Sequence, residues 1–243
     1  MLFSAIFVSL IVFAAAVLRG FTGFGFALAA VPLLSLAMVP AKVIPIVVLT
    51  QAFVAFSDLR GTVKQGNWRE ISWIAGGLVI GTPIGIWLLT SLPPDRVRLA
   101  IGALIAASVA LLSVGLRLPA RPAASLAGLV GGVAGIANGL AAMPGPPIVA
   151  FFMAMPQASA QSRASMMVVF AATGLAGLTG LLARSLIERE TIILSVVAVP
   201  GLLLGSRLGL HLFTRSNAKW HRPIALIVLG VLALTLILRG LVG

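Results

Sequence analysis

The sequence predicts an all-α polytopic membrane protein built from two homologous repeats. The second repeat is inverted relative to the first, and each holds two short, broken or re-entrant segments plus three transmembrane helices, 8 to 10 segments in all. Three observations predict this. First, 60% of the 243 residues are hydrophobic and only 9% are charged, whereas a soluble domain carries roughly 25% charged residues. Second, apolar runs such as Leu2 to Leu18 and Ile224 to Leu238 recur along the chain, each near the roughly 20 residues that a hydrocarbon core requires. Third, Gly77, Leu78, Gly81, Gly85, Leu88 and Thr90 recur 124 positions later as Gly201, Leu202, Gly205, Gly209, Leu212 and Thr214, and Arg98 recurs as Arg222. Small residues four apart suit any close helix crossing, but three glycines, a threonine and the following arginine together favour duplication. A single transmembrane domain over 1–243 follows, with repeat one at about 1–118 and repeat two at about 124–243.

Taken in order, apolar runs between polar breaks predict helices near 2–18, 24–38, 43–57, 70–90 and 97–116. A second set is predicted near 124–137, 146–155, 164–183, 190–213 and 223–240. Met1 to Val17 has no basic residue ahead of its apolar stretch and Arg19 follows it, so it reads as the first helix rather than a cleaved signal. The first two segments of each set are short for spans, which suggests half-helices. Between them lie Gly20, Thr22, Gly23 and Gly25 in the first repeat, and Gly135, Asn138, Gly139, Pro144, Gly145, Pro146 and Pro147 in the second. Backbone freed by such breaks must line a protein-enclosed or watery cavity, because lipid cannot satisfy it.

If each short pair returns the chain to the side it left, three full crossings remain per repeat, and an odd number inverts the second repeat. The face carrying Arg60, Lys64, Arg69, Arg117, Arg121, Arg163, Arg215, Lys219 and Arg222 then outweighs the face with Lys42, Arg96, Arg98, Arg184, Arg189 and Arg239. The richer face is cytoplasmic and both termini lie outside. If each pair instead forms one broken span, the repeats are parallel with eight spans. Inverted repeats with broken helices recur in transporters, which favours the first arrangement.

The net charge of +12, from 17 basic and 5 acidic residues, would suggest nucleic acid in a soluble domain. Scattered between apolar runs, the same charges instead hold loops on one side of a bilayer. With no cysteine there is no disulfide, thiolate nucleophile or cysteine metal site. The catalytic motifs of zinc proteases, serine hydrolases, P-loops and dinucleotide folds are missing, so the chain is not read as an enzyme, and no cofactor or metal is expected. His211 and His221 flank a polar turn where interfacial residues are commonplace. All five acids, Asp58, Glu70, Asp95, Glu188 and Glu190, fall at predicted helix ends or in loops, which argues against a carboxylate proton relay.

The breaks are the better candidates. Where a half-helix begins inside the bilayer, its free amides and positive dipole end make a site for an anion without any charged side chain. Thr22, Gly23, Gly25, Asn138 and Gly139 are suited to this: glycine admits an oxyanion to the backbone, and Thr22 and Asn138 offer side-chain donors. The competing explanation for these glycines is tight helix crossing. Arg207, inside the run Leu202 to Leu212, and Arg163, at the start of the helix after the second break, are candidate counter-ions, joined by Arg19 directly before the first break. Arg207 is also close enough to Arg215 to snorkel towards the interface.

The run Gly20-Phe21-Thr22-Gly23-Phe24-Gly25 leading to Pro32, its counterpart from Gly128 to Gly139 leading to Pro146 and Pro147, and Gly201-Leu202-Leu203-Leu204-Gly205-Ser206-Arg207-Leu208-Gly209 resemble the sulfite exporter TauE/SafE family of bacterial membrane permeases. The resemblance covers essentially the whole chain. It implies export or uptake of sulfite, sulfonates or other small organic anions across the bacterial inner membrane. The run Ile136-Ala137-Asn138-Gly139 departs from the denser glycines usual in the family's second repeat, so the two breaks need not contribute equally. The expected partners are a small anionic substrate and the lipid bilayer, not nucleic acid, and a homodimer is left open. Two other classes remain: a transporter or channel for a different solute, and a membrane scaffold without transport. The acid-poor interior disfavours a cation, and the cavity-type breaks disfavour a scaffold.

Overall fold

The computed structural model describes residues 2–22, 25–58, 63–215 and 221–242, with side chains for most of them. Among the described residues there are ten α-helices and one 3₁₀ turn, and no strand. The helices are α1 (Leu2–Thr22), α2 (Phe26–Ser35), α3 (Pro40–Asp58), α4 (Trp68–Ser91), α5 (Pro94–Val114), α6 (Ala124–Ala141), α7 (Gly145–Ala154), α8 (Ser159–Ala183), α9 (Arg189–Arg215) and α10 (His221–Val242). Each predicted segment has its helix. By length and composition five of them, α4, α5, α6, α8 and α9 to Leu212, suffice to cross a membrane, and large apolar side chains stay exposed on them, among them Val79, Leu129, Val196 and Leu204.

The expectation of two short segments per repeat needs correction. The helices α1 and α6 run 21 and 18 residues, because Gly20, Asn138 and Gly139 continue the helix instead of ending it. Among the described helices only α2 and α7, of 10 residues each, are half-length, about 15 Å at the α-helical rise against a hydrocarbon core of about 30 Å.

The chain forms two compact units, each assembled from both halves of the sequence. Unit 1 holds Met1–Thr50, Leu92–Val109 and Ser185–Gly243, and its spine is α1 packed along α9. The two run parallel: Ser9 donates to Val197 O at 3.4 Å, Phe13 lies against Gly205, and Gly20 lies against Ser206 and Gly209. The start of α3 is fixed to the start of α9 by the Lys42–Glu190 ion pair at 3.7 Å and by Ser195 against Ile46 O at 3.5 Å. Because α1 and α9 are parallel, α3 therefore begins at the same end as α1, and the chain has doubled back through α2. The half-helix packs on α1 and α10, and its last carbonyl, Ser35 O, accepts from Arg98 Nε at 3.0 Å. Arg98 is held in turn by Asp95.

Unit 2 holds Gln51–Ser91 and Ala110–Arg184, and its spine is α4 along α6, also parallel. Gly77 faces Gly128, Gly81 faces Gly132 and Gly85 faces Ile136, all backbone to backbone. At the same end α8 begins beside α4, where Asn67 N–H donates to Ser165 Oγ at 2.9 Å. Here too the chain doubles back: Leu118 N–H, ahead of α6, donates to Ala154 O, the last residue of α7, at 2.8 Å. Ile71, Ile74, Leu78, Ala134, Ile148 and Phe152 form the buried core beneath this crossing.

Apolar burial does not drive helices together in hydrocarbon, where the lipid tails are equally apolar. Close packing and interhelical hydrogen bonds do, which is why both spines are glycine-lined.

Candidate functional site

The first break sits at Gly25. This residue is the N-cap of α2 with φ 96°, a left-handed conformation natural to glycine, and no side chain caps the helix. The first helical bond runs from Ala29 N–H to Gly25 O at 3.2 Å, so the amides of Phe26, Ala27 and Leu28 precede the helical ladder. All three residues are buried, at 3%, 5% and 2% exposed. A buried, uncapped helix start presents orphan donors and the positive end of the dipole to whatever fills the space before it. Thr22 is the last residue of α1, but its side chain and the whole of Gly23 lie outside the described residues. Arg19 occupies the last turn of α1 and is partly exposed, one residue before the contact of Gly20 with α9. Arg207 lies on α9 in that same stretch and is exposed. Unit 1 thus brings Arg19, Thr22, Gly25 and Arg207 to one end of the α1–α9 spine.

The second break lies within the stretch that the sequence indicated, at its Pro144 end rather than at Asn138. Gly135, Asn138 and Gly139 are helical, and the turn comes at Ala142, with φ 53°, and Met143. The reason is tertiary. Gly135 and Gly139 lie against the α4 backbone at Gly81, Thr82 and Gly85, where a Cβ would be under 3.0 Å from main-chain atoms, and Asn138, 4% exposed, donates from Nδ2 to Thr173 O on α8 at 2.9 Å. These contacts hold the helix through residues that would otherwise end it. The turn itself is closed by Ala142 N–H to Asn138 O and Met143 N–H to Ala137 O, and Gln51 Nε2 donates to Ala142 O at 3.1 Å.

The start of α7 differs chemically from that of α2. Its first residues are Gly145, Pro146 and Pro147 after an N-cap Pro144, and proline has no N–H to offer. This half-helix is therefore poor in the donors that α2 has. Arg163 is exposed near the start of α8, ten residues or about 15 Å along the helix from the Thr173 carbonyl that holds Asn138, so the structure does not bring Arg163 and Asn138 together. His211 is exposed on α9, while the side chain of His221 lies outside the described residues.

Glu70 lies in the first turn of α4, at a helix end as expected for the acids, and is 1% exposed. Its Oε1 accepts from Arg69 at 3.1 Å, and the dipole favours a carboxylate in this turn. Among the described residues no group of three or more His, Cys, Asp or Glu is placed to hold a metal ion.

Two residues escaped the sequence reading. Thr82 on α4 and Ser206 on α9 carry buried hydroxyl oxygens without a hydrogen-bond partner, directly after Gly81 and Gly205. The available signal was that both halves place a hydroxyl residue after the same repeated glycine.

The bond from Asn138 to Thr173 gives a first prediction. Asn138→Leu should lower the unfolding free energy in mixed micelles by about 1 kcal/mol, the order measured for interhelical hydrogen bonds in membranes. An unchanged unfolding curve would mean that the amide ties nothing.

The sequence profile of the sulfite exporter TauE/SafE family matches residues 8–236, nearly the whole chain. No curated protein and no solved structure matches it. A helical membrane chain with two uncommon half-helices, matched over that length, belongs to the sulfite exporter TauE/SafE family, whose members are transporters of sulfite-type anions.

Proposed function

We propose that the protein exports sulfite or a related small organic anion across a bacterial inner membrane, and that the anion rests against the start of α2. The N-terminus of α2, without a side-chain cap at Gly25 and buried over Phe26 to Leu28, carries this reading. It offers several main-chain donors and the positive end of a helix dipole, next to a chain end of α1 that bears Arg19. The proline-opened α7 is the weaker partner, so the two breaks bind unequally, and the main role of Asn138 and Gly139 is to hold α6 against α8 and α4.

The doubling back of α1–α2 and of α6–α7 supports three full crossings in each half. An odd number turns the second half upside down relative to the first, and positive-inside counting then puts the loops bearing Arg117, Arg163 and Arg215 in the cytoplasm. Matching spacing supports the repeat: Gly77, Gly81 and Gly85 on one spine and Gly201, Gly205 and Gly209 on the other occupy positions 124 apart.

Outward movement of one negative charge down an inside-negative potential of 100 mV is favourable by about 2.3 kcal/mol. Export therefore requires no coupling ion. In proteoliposomes offered sulfite, taurine, isethionate and sulfoacetate, outward sulfite flux should follow the imposed voltage more than a pH gradient. Flux of none of the four would remove the proposal; flux that needs a pH gradient and ignores voltage would leave the substrate and overturn the driving force.

A further inference from the structure

Within a transmembrane helix a serine or threonine hydroxyl ordinarily donates to the carbonyl one turn earlier. Thr50, Ser108, Ser165, Thr179, Ser195 and Thr235 all do so here. Thr82 and Ser206 do not. Thr82 is 1% exposed, the Ser206 oxygen is shut away from solvent, and neither has a partner.

The surroundings of the two hydroxyls match, each within its own unit. The Thr82 backbone is crossed by Gly135 and Gly139, in the last turns of α6 ahead of the Ala142 turn. The Ser206 carbonyl is crossed by Gly20, in the last turn of α1 ahead of Gly25. In both units the residue that carries the unbonded hydroxyl therefore has its backbone against the end of the helix that leads into the break. Among the described residues two further buried polar atoms lack a partner, Ser35 Oγ and Glu70 Oε2. They sit at helix ends, and the other oxygen of Glu70 is already held by Arg69.

A buried hydroxyl without a partner is costly. We infer that Thr82 and Ser206 are substrate donors, each giving its O–H to an oxygen of a transported oxyanion at the break of its own unit. This rests on the anion-transport reading above. Hydroxyl to oxyanion bonds are short and strong, and the surroundings suit an anion. No Asp or Glu lies on α1, α6 or α8, and those of α4 and α9 are confined to the first turn.

The experiment uses the full chain in proteoliposomes, with sulfite efflux and thermal melting measured for wild type, Thr82→Val, Thr82→Ser and Ser206→Ala. Loss of a hydrogen bond to a charged ligand should raise the KM for sulfite by about 10- to 100-fold in Thr82→Val and in Ser206→Ala. Both should also lose the rise in melting temperature that sulfite gives wild type, and Thr82→Ser should retain it. Without sulfite the melting of both variants should equal or exceed that of wild type, because no bond within the protein is lost. Wild-type KM values in Thr82→Val and Ser206→Ala would overturn the inference, and so would unfolding of Thr82→Val, since the hydroxyl would then be structural. Wild type that moves no sulfite would remove the transport reading and this inference together; wild-type flux with indifferent variants would remove the hydroxyls alone.

Discussion

Gly77→Ala is expected to destabilise the protein by about 1–3 kcal/mol, the usual cost of forcing a methyl into a packed interior, while Gly76→Ala one position earlier stabilises it by about 0.5–1 kcal/mol through helix propensity. The contrast comes from which side of α4 each residue occupies. A Cβ at Gly77 would fall closer than 3.0 Å to the main chain of Gly128, Gly131 and Gly132, whereas one at Gly76 meets nothing within 4 Å. Backbone atoms of a neighbouring helix cannot turn aside as a flexible side chain does, so the two helices must separate. Gly132 is a second control, since its Cβ direction is also empty. Unfolding in mixed micelles reads all three, and equal midpoints for Gly76→Ala and Gly77→Ala would refute the α4–α6 crossing.

Ala27→Pro is expected to lower sulfite flux by about 10- to 100-fold, the worth of one hydrogen bond to a charged group, with little change in melting temperature. Ala27 is the second residue of α2, so its amide precedes the helical ladder, and proline is tolerated in a first turn. The protein already opens α7 with Pro146 and Pro147, so such a start fits this fold. The substitution deletes one main-chain donor and leaves the helix. Wild-type flux from a normally melting variant would take the anion away from α2.

The helices were legible because each apolar run has the length and composition of a membrane segment, and their ends were less so where two kinds of signal conflict. Glycine and asparagine at 135, 138 and 139 read as a break from local propensity, but Gly139 against the α4 backbone and Asn138 on the Thr173 carbonyl override it. The actual turn uses Ala142 with φ 53°, a residue type that carries no turn signature. Gly25 was legible because its left-handed conformation is the one glycine serves. The partnership of α4 with α6 and of α1 with α9 depends on surfaces brought together from distant parts of the chain, which no local pattern records. Thr82 and Ser206 were hidden because a hydroxyl in a membrane helix looks alike in sequence whether it bonds its own backbone or nothing.

The pairing of α1 with α9 also bears on how the protein is made. The first helix leaves the ribosome long before its companion is translated; at about 5–20 residues per second the delay is roughly 10–40 s. For that interval the face of α1 bearing Ser9, Phe13 and Gly20 waits among lipids or beside the insertion machinery, and the nascent protein is finished only when its penultimate helix arrives to cover it.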